Sequence, residues 1–479
     1  MPLLSSLVAR LTPERPRKMV RPWALSAPIL VLLVALPLLR PLRYPLPRQI
    51  SDEEQARLAT VQAIVEHGTL HIDATDFTTT RSKVEVKDRL YSNQPPTMSA
   101  LLSGSYWVMH RNGLTFHNDG PKVMYLLTLL GVTIPAACAA GLIYRMGRLF
   151  ELRRWWRAAL AAAAVLCTGM ISYATVLNPH VPAATLVLAA AACLVHVTLS
   201  PKKTLRPFWM ATAGGCAALA AAIDPTAIPF LFLLLVVVGA VRRRIWAQVG
   251  GILAYAIGAA LPIAVHAALT VPVTGDFFQG ITFKPQPPVA AVVAGAYGSD
   301  GSAAALDDED GAAPVPPALW KRVAGALFGA HGVLSHFPVL LLGVAGVGMV
   351  MHRHWPTAAK VLASATCAGA LLLIVVYSAD RPEWKDWRDA MFAARWFVVF
   401  APLLLFWAGA WLRRKHRPAA WVTAGVLLTF SLFVSVIGAV AGPLPQEGFD
   451  HYTAAEAWDR LVEPTHTANA PPVLAGGIR

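Results

Sequence analysis

Apolar residues occur in long blocks from residue 23 to residue 440, broken by short polar and often basic punctuation. An apolar helix of about 17–25 residues matches the hydrocarbon thickness of a bilayer. By that criterion the blocks predict about eleven spans, near residues 23–40, 121–145, 157–177, 181–199, 207–223, 226–241, 245–268, 337–351, 358–377, 396–412 and 419–440. The fold class predicted is an all-α polytopic membrane protein. Residues 97–109 form one more apolar piece, too short to cross, which is expected to lie in the interface or to dip in and return.

Two outer segments are too long to be simple connectors, and the first carries a second pattern. After Ser51, the apolar positions Leu58, Val61, Ile64 and Val65 recur at helical spacing, with Glu53, Glu54, Arg57, Gln62 and Glu66 on the other faces. This predicts an amphipathic helix suited to the bilayer surface, ended at Gly68. Ser51 is a good N-cap with Glu54 three residues on, so a capping box accounts for the acids at the helix start. Asp52 fits that account and equally fits a functional carboxylate at the exit of the first span.

Composition supports the membrane class: 56% of residues are hydrophobic and only 14% charged, with mean hydropathy +0.52. The 41 Lys and Arg against 27 Asp and Glu would suggest a nucleic-acid partner in a soluble chain. Here the basic residues gather between spans, at 10–21, 145–157, 202–206, 242–244, 352–354 and 413–417, and report topology instead. All six clusters are expected in the cytoplasm. The N-terminus is then cytoplasmic, residues 97–109 do not cross, and an odd number of spans leaves the tail outside.

The organisation predicted is a transmembrane unit, residues 1–441, with outer loops 41–120 and 271–336, and an outer tail, residues 442–479. The acids Asp307, Asp308, Glu309 and Asp310 of the second loop read as a solvated stretch. The basic N-terminus followed by an apolar run is similar to a signal peptide, yet Arg40 to Arg43 is no small-residue cleavage site, so a retained first helix is expected. The five cysteines fall inside apolar runs without metal-ligand spacing and read as small core residues.

Lys83, Lys87 and Arg89 approach a helix start announced by Pro95 and Pro96, a natural anion site, although the two lysines read equally well as surface residues. Asn178 to Pro182 and Asp224 to Thr226 form turns two spans apart, hence on the same outer side. Arg395 opens an apolar run, where an arginine needs an anionic partner.

Taken together, these residues resemble the GT-C class of lipid-dependent membrane glycosyltransferases, in particular protein O-mannosyltransferases and lipid A aminoarabinose transferases. The resemblance rests on Asp52-Glu53 after the first span, the helix that follows, the stretch from Tyr91 to Pro96, the basic turn at Arg145 to Phe150, and Arg395-Trp396-Phe397. Asn93-Gln94 departs from the acidic-lysine pair of the aminoarabinose branch, and His180 stands where an Arg-x-Asp-like element is expected.

The resemblance implies transfer of a sugar from a polyprenyl-phosphate donor to a lipid, glycan or protein acceptor on the outer face of a bacterial cytoplasmic membrane, with inversion. It implies Asp52 as general base with Glu53 beside it, and Arg395, Arg89 and Lys87 as ligands of the donor phosphate. Arg57, Asn93, Gln94, His180 and Asp224 are expected in the substrate cavity. No cofactor and no metal site is expected, because no metal-ligand pattern is present, although outer acids and histidines leave a divalent ion open. The competing readings are a carrier or flippase for a lipid-linked or small solute, and a non-catalytic scaffold. The first should show polar or broken helices near the midplane; the second needs neither Asp52 nor Arg395.

Overall fold

The chain is a helical polytopic membrane protein, with one small β-hairpin among the described residues. The computed structural model describes residues 22–39, 50–199, 205–240, 245–275, 318–379, 392–393, 395–443 and 453–462. Helices occupy each predicted span position: α1 (Trp23–Ala35), α4 (Phe116–Phe150), α5 (Arg154–Leu166), α6 (His180–Leu199), α7 (Arg206–Ile223), α8 (Pro225–Ala240), α9 (Ile245–Thr274), α11 (Leu340–Met351), α12 (Thr357–Tyr377), α13 (Ala401–Leu412) and α14 (Pro418–Ala441). Between them lie α2 (Asp52–Gln62), α3 (Pro96–Arg111) and α10 (Leu319–Phe328), with α15 (Ala454–Val462) in the tail.

The expected count of about eleven crossings is not reached by length and composition alone. Among the described residues five helices pass, α4, α6, α9, α12 and α14, or six if Leu319–His336 and Leu340–Met351, bent by 96°, make one span. The others are short or broken at particular residues. The predicted span at 157–177 stops at Leu166, because Gly169 takes a left-handed φ of +75° and starts a single turn, Met170–Tyr173. Ser435 of α14 holds that break, its hydroxyl accepting from the Gly169 N–H at 3.2 Å and its carbonyl accepting from the Ser172 hydroxyl at 2.7 Å. A broken helix inside a membrane protein persists only where such partners replace the lost ladder.

The bundle closes by tight backbone approach. A Cβ added at Gly214 of α7 would lie 1.9 Å from the Tyr255 carbonyl of α9, and one at Gly258 of α9 would lie 1.9 Å from the Ala211 carbonyl of α7. Small residues on both partners let the helices meet without side chains between them.

The first outer loop differs from expectation in two ways. Helix α2 has the capping box: the Ser51 hydroxyl accepts from the Glu54 N–H, and the Glu54 carboxylate accepts from the Ser51 N–H. It passes through a π-turn, Ala63–His67, and ends at Gly68 with φ +66°. Instead of lying on a surface, it is covered nearly all round: Ala56, Arg57, Leu58, Ala59, Thr60 and Val61 are buried. Its polar positions face other protein segments, which explains why a two-faced pattern does not make a surface helix here. Glu54 accepts from the Leu177 N–H at 3.0 Å, and the Arg57 carbonyl accepts from the Ser99 hydroxyl of α3 at 3.1 Å.

The second difference is an antiparallel hairpin, β1 (Lys83–Val86) and β2 (Arg89–Ser92), in register Val86 with Arg89. Its two-residue turn puts Lys87 at φ +52° and Asp88 at φ +59°, the left-handed pair that matches hairpin twist.

Candidate functional site

The chain breaks before α6 and α8, the start of α2 and the Arg395–Val399 turn that leads into α13 converge on one cavity of about 280 Å³. Glu53, Arg57, Asn93, Gln94, His180, Asp224 and Arg395 all line it, and so does Trp396. Seven residues expected at the site from sequence are thus brought together from five separate parts of the chain.

Glu53 is the electrostatic centre of this cavity. Its Oε1 accepts from Arg395 Nη1 at 2.8 Å, and its Oε2 lies 3.7 Å from Arg57 Nη1. Arg57 Nη2 also donates to Gln94 Oε1 at 2.6 Å, and Gln94 Nε2 donates to Asn93 Oδ1 at 2.9 Å. Burial by itself raises the Glu53 carboxyl, but the Arg395 and Arg57 guanidiniums outweigh it and hold the group below the usual carboxylate range. Burial, with the like charge of Arg395, pulls Arg57 down against the opposing pull of Glu53.

Facing this cluster is a second pair. His180 is the first residue of α6, placed by Asn178, whose Oδ1 accepts from the Val181 N–H at 3.1 Å and whose amide donates to the Tyr173 and Val176 carbonyls. Asp224 follows the last residue of α7, and its Oδ1 accepts from the Thr226 N–H at 3.0 Å. The His180 Nδ1 lies 2.5 Å from Asp224 Oδ2, with side-chain exposures of 8% and 2%. Burial raises the Asp224 carboxyl, yet His180 and the bonds from Thr226 bring it below its usual range. Sequence placed both residues at outer turns without pairing them. Parity was the signal: turns separated by two spans lie on one side of the membrane.

Three expected residues lie outside the cavity. Asp52, one residue from Glu53, is turned to the hairpin side: its Oδ1 accepts from the Arg81 N–H at 3.0 Å and its carbonyl accepts from the Thr80 hydroxyl. On a helix, adjacent residues point about 100° apart, so only one of the two acids can face the cavity. Arg89 is exposed, 3.7 Å from Asp73, and Lys87 occupies the hairpin turn. The alternation from Lys83 to Ser92 carries both away from the start of α3.

An apolar cavity of about 160 Å³ adjoins the charged one, sharing Pro95, Pro225 and Ile228 with it. Ala218, Leu231, Phe232 and Ile263 line it, with His266, whose Nδ1 is 2.7 Å from the Thr97 hydroxyl. Among the described residues, no group of three or more His, Cys, Asp and Glu side chains is placed to hold a metal ion.

No protein-family model and no curated protein matches the sequence. Solved structures do match its fold. ArnT from Cupriavidus metallidurans in the apo state superposes with TM-score 0.50 at 13% identity, over 88% of this chain and 70% of that one. The same protein bound to undecaprenyl phosphate gives 0.50 at 14% identity with the same coverage. An oligosaccharyltransferase from Archaeoglobus fulgidus gives 0.49 at 12% identity, over 90% of this chain and 57% of that one. At such identities the likeness is one of fold, and that fold is the GT-C architecture anticipated from sequence.

Proposed function

We propose that the chain is a membrane glycosyltransferase that moves a sugar from a polyprenyl-phosphate donor to an acceptor at the outer face of the membrane. The carrying observation is a cavity in which two buried guanidiniums flank a carboxylate among apolar walls, continued across shared prolines by a second, apolar cavity. A phosphate with a prenyl tail has that same division of chemistry. The fold likeness to an enzyme bound to undecaprenyl phosphate supports the reading.

In this reading Arg395 and Arg57 receive the donor phosphate, and Glu53 keeps the two like charges together when no phosphate is present. A guanidinium offers five donors in a planar fork and can contact a carboxylate and a phosphate at once. As the bond from the anomeric carbon to the phosphate oxygen breaks, charge gathers on that phosphate and both guanidiniums strengthen their hold. Asn93 and Gln94 position Arg57 from the other side. Arg89 and Lys87, exposed on the hairpin, are no longer assigned to the phosphate, and Asp52 is reassigned to holding the loop at Arg81.

The test is saturable binding of undecaprenyl phosphate to the full chain in lipid nanodiscs. Arg395→Ala and Arg57→Ala should each weaken it tenfold or more, since a charge-assisted bond contributes about 1.5–3 kcal/mol. Arg89→Ala should leave it within twofold. Absence of saturable binding by the parent protein would overturn the proposal.

A further inference from the structure

We infer that the proton acceptor of the transfer reaction is the His180 imidazole, oriented by Asp224, in place of a carboxylate of the first outer loop. This rests on the glycosyl-transfer reading above and names the base that reading leaves unassigned.

Two observations lead there. The three acids that open α2 are each engaged elsewhere. Asp52 is turned to the hairpin, Glu54 is tied to Ser51 and to the Leu177 N–H, and Glu53 accepts from Arg395 with Arg57 near its other oxygen. A carboxylate between two guanidiniums is a weak base, and protonating it would break the ion pair that holds the phosphate site.

The second observation is the geometry of His180 and Asp224. Both Asp224 oxygens are used, Oδ1 by the Thr226 N–H and Oδ2 by the imidazole, so the carboxylate cannot swing away. An ionised carboxylate accepts only, which fixes the proton of a neutral imidazole on Nδ1 and leaves the lone pair on Nε2. Asp224 thereby sets the tautomer and stabilises the imidazolium that forms when Nε2 takes a proton, the division of labour seen wherever a carboxylate backs a histidine base. Both residues line the cavity that holds Glu53, Arg57 and Arg395.

In the step, the acceptor hydroxyl oxygen attacks the anomeric carbon and gives its proton to His180 Nε2. The bond between that carbon and the phosphate oxygen breaks, and its electron pair leaves with the phosphate, held by Arg395 and Arg57. The imidazolium then releases its proton to water, restoring the pair. His180 is the catalytic residue of this proposal; Asp224 is a positioning residue.

The experiment has a chemical arm and a kinetic arm, both on the full chain in nanodiscs. Diethyl pyrocarbonate at pH 7 attacks unprotonated imidazole nitrogens, and peptide mass spectrometry locates the adducts. His180 should be modified in spite of its burial. Undecaprenyl phosphate should slow that modification at least fivefold, and Asp224→Asn, which frees the ring to adopt the other tautomer, should slow it severalfold. Exposed His117 should react alike in all three samples. An unmodified His180 in the parent protein would overturn the inference, as would equal modification in Asp224→Asn.

In the kinetic arm, His180→Gln should lower kcat with an undecaprenyl-phosphate-linked sugar by about 10²–10⁴-fold while undecaprenyl phosphate still binds within threefold of the parent. Turnover by His180→Gln within threefold of the parent overturns the base. Failure of the parent to bind undecaprenyl phosphate sinks the donor reading instead, and the adduct at His180 is scored independently of it.

Discussion

At the scale of single residues, the neighbours Asp52 and Glu53 separate two kinds of carboxylate. Glu53→Gln removes the carboxylate that pairs with buried Arg395 and lies beside buried Arg57. Removing one partner of a buried pair costs about 3–5 kcal/mol, and the low end, about 3 kcal/mol, is expected because 19% of the Glu53 side chain stays exposed. Asp52→Asn keeps an oxygen for the Arg81 N–H, so its cost should be under about 1 kcal/mol. Thermal unfolding of the two variants in nanodiscs checks the order.

The pH dependence has a definite sign. The folded Glu53 carboxyl lies below its unfolded value, so its contribution is fully present above that value, about 4.3, and is lost as pH falls through the lower folded one. The gap between parent and Glu53→Gln should therefore be constant from about pH 8 to 5 and close only in more acid solution. A gap that shrinks near pH 6 would mean the ion pair is not what stabilises the site. The position of this acid pair was legible from the helix start. Which of the two faces the cavity was not, because that depends on the rotation of α2, set by contacts from Ser99 and Leu177 far along the chain.

At the scale of elements, the hairpin has a sequence pattern of its own. Val84 and Val86 alternate with Lys83 and Glu85, and across a two-residue turn Val84 pairs with Tyr91, the signature of a β-ribbon. The turn lacks the usual Asn-Gly, which hid it. Because a non-glycine residue in the left-handed region costs about 1–2 kcal/mol, Asp88→Gly should stabilise the hairpin by up to about 1 kcal/mol, read as slower amide exchange at Val84 and Leu90. Undecaprenyl phosphate binding should not change, since the hairpin lies outside the cavity.

Helix contacts give the opposite case. Gly214→Ala drives a methyl group into the Tyr255 carbonyl and should destabilise by about 1–3 kcal/mol. Gly104→Ala meets nothing within 4 Å and should be neutral or slightly stabilising. Apolar block lengths gave no hint of this difference, since both glycines sit in helical sequence; only the neighbour decides.

At the scale of the molecule, the proposed topology places Glu53, His180, Asp224 and Arg395 on one side of the membrane, as one cavity requires. Single cysteines at Asn118, Ser302 and Gly448, in a background without native cysteines, should react with an impermeant external thiol reagent, and one at Lys203 should not. Reaction at Ser302 without reaction at Asn118 would mean that α3 crosses. The positions of the apolar span helices were legible, because block length needs no tertiary information, whereas α10 and α15 were not. The breaks at Gly169 and before Leu340 were not, because each depends on partners distant in sequence.

The Glu53–Arg395 contact joins residues 342 positions apart. At roughly 5–20 residues per second of synthesis, the carboxylate waits on the order of tens of seconds for its guanidinium. During that interval Glu53 has within α2 only the more distant Arg57 as counter-ion, so the first outer loop should stay hydrated while nearly all the other helices insert. The last spans therefore act as a latch. A cysteine at position 53 should react faster with water-borne reagents in a ribosome-bound chain arrested before Arg395 than in the completed chain, where position 53 is largely covered.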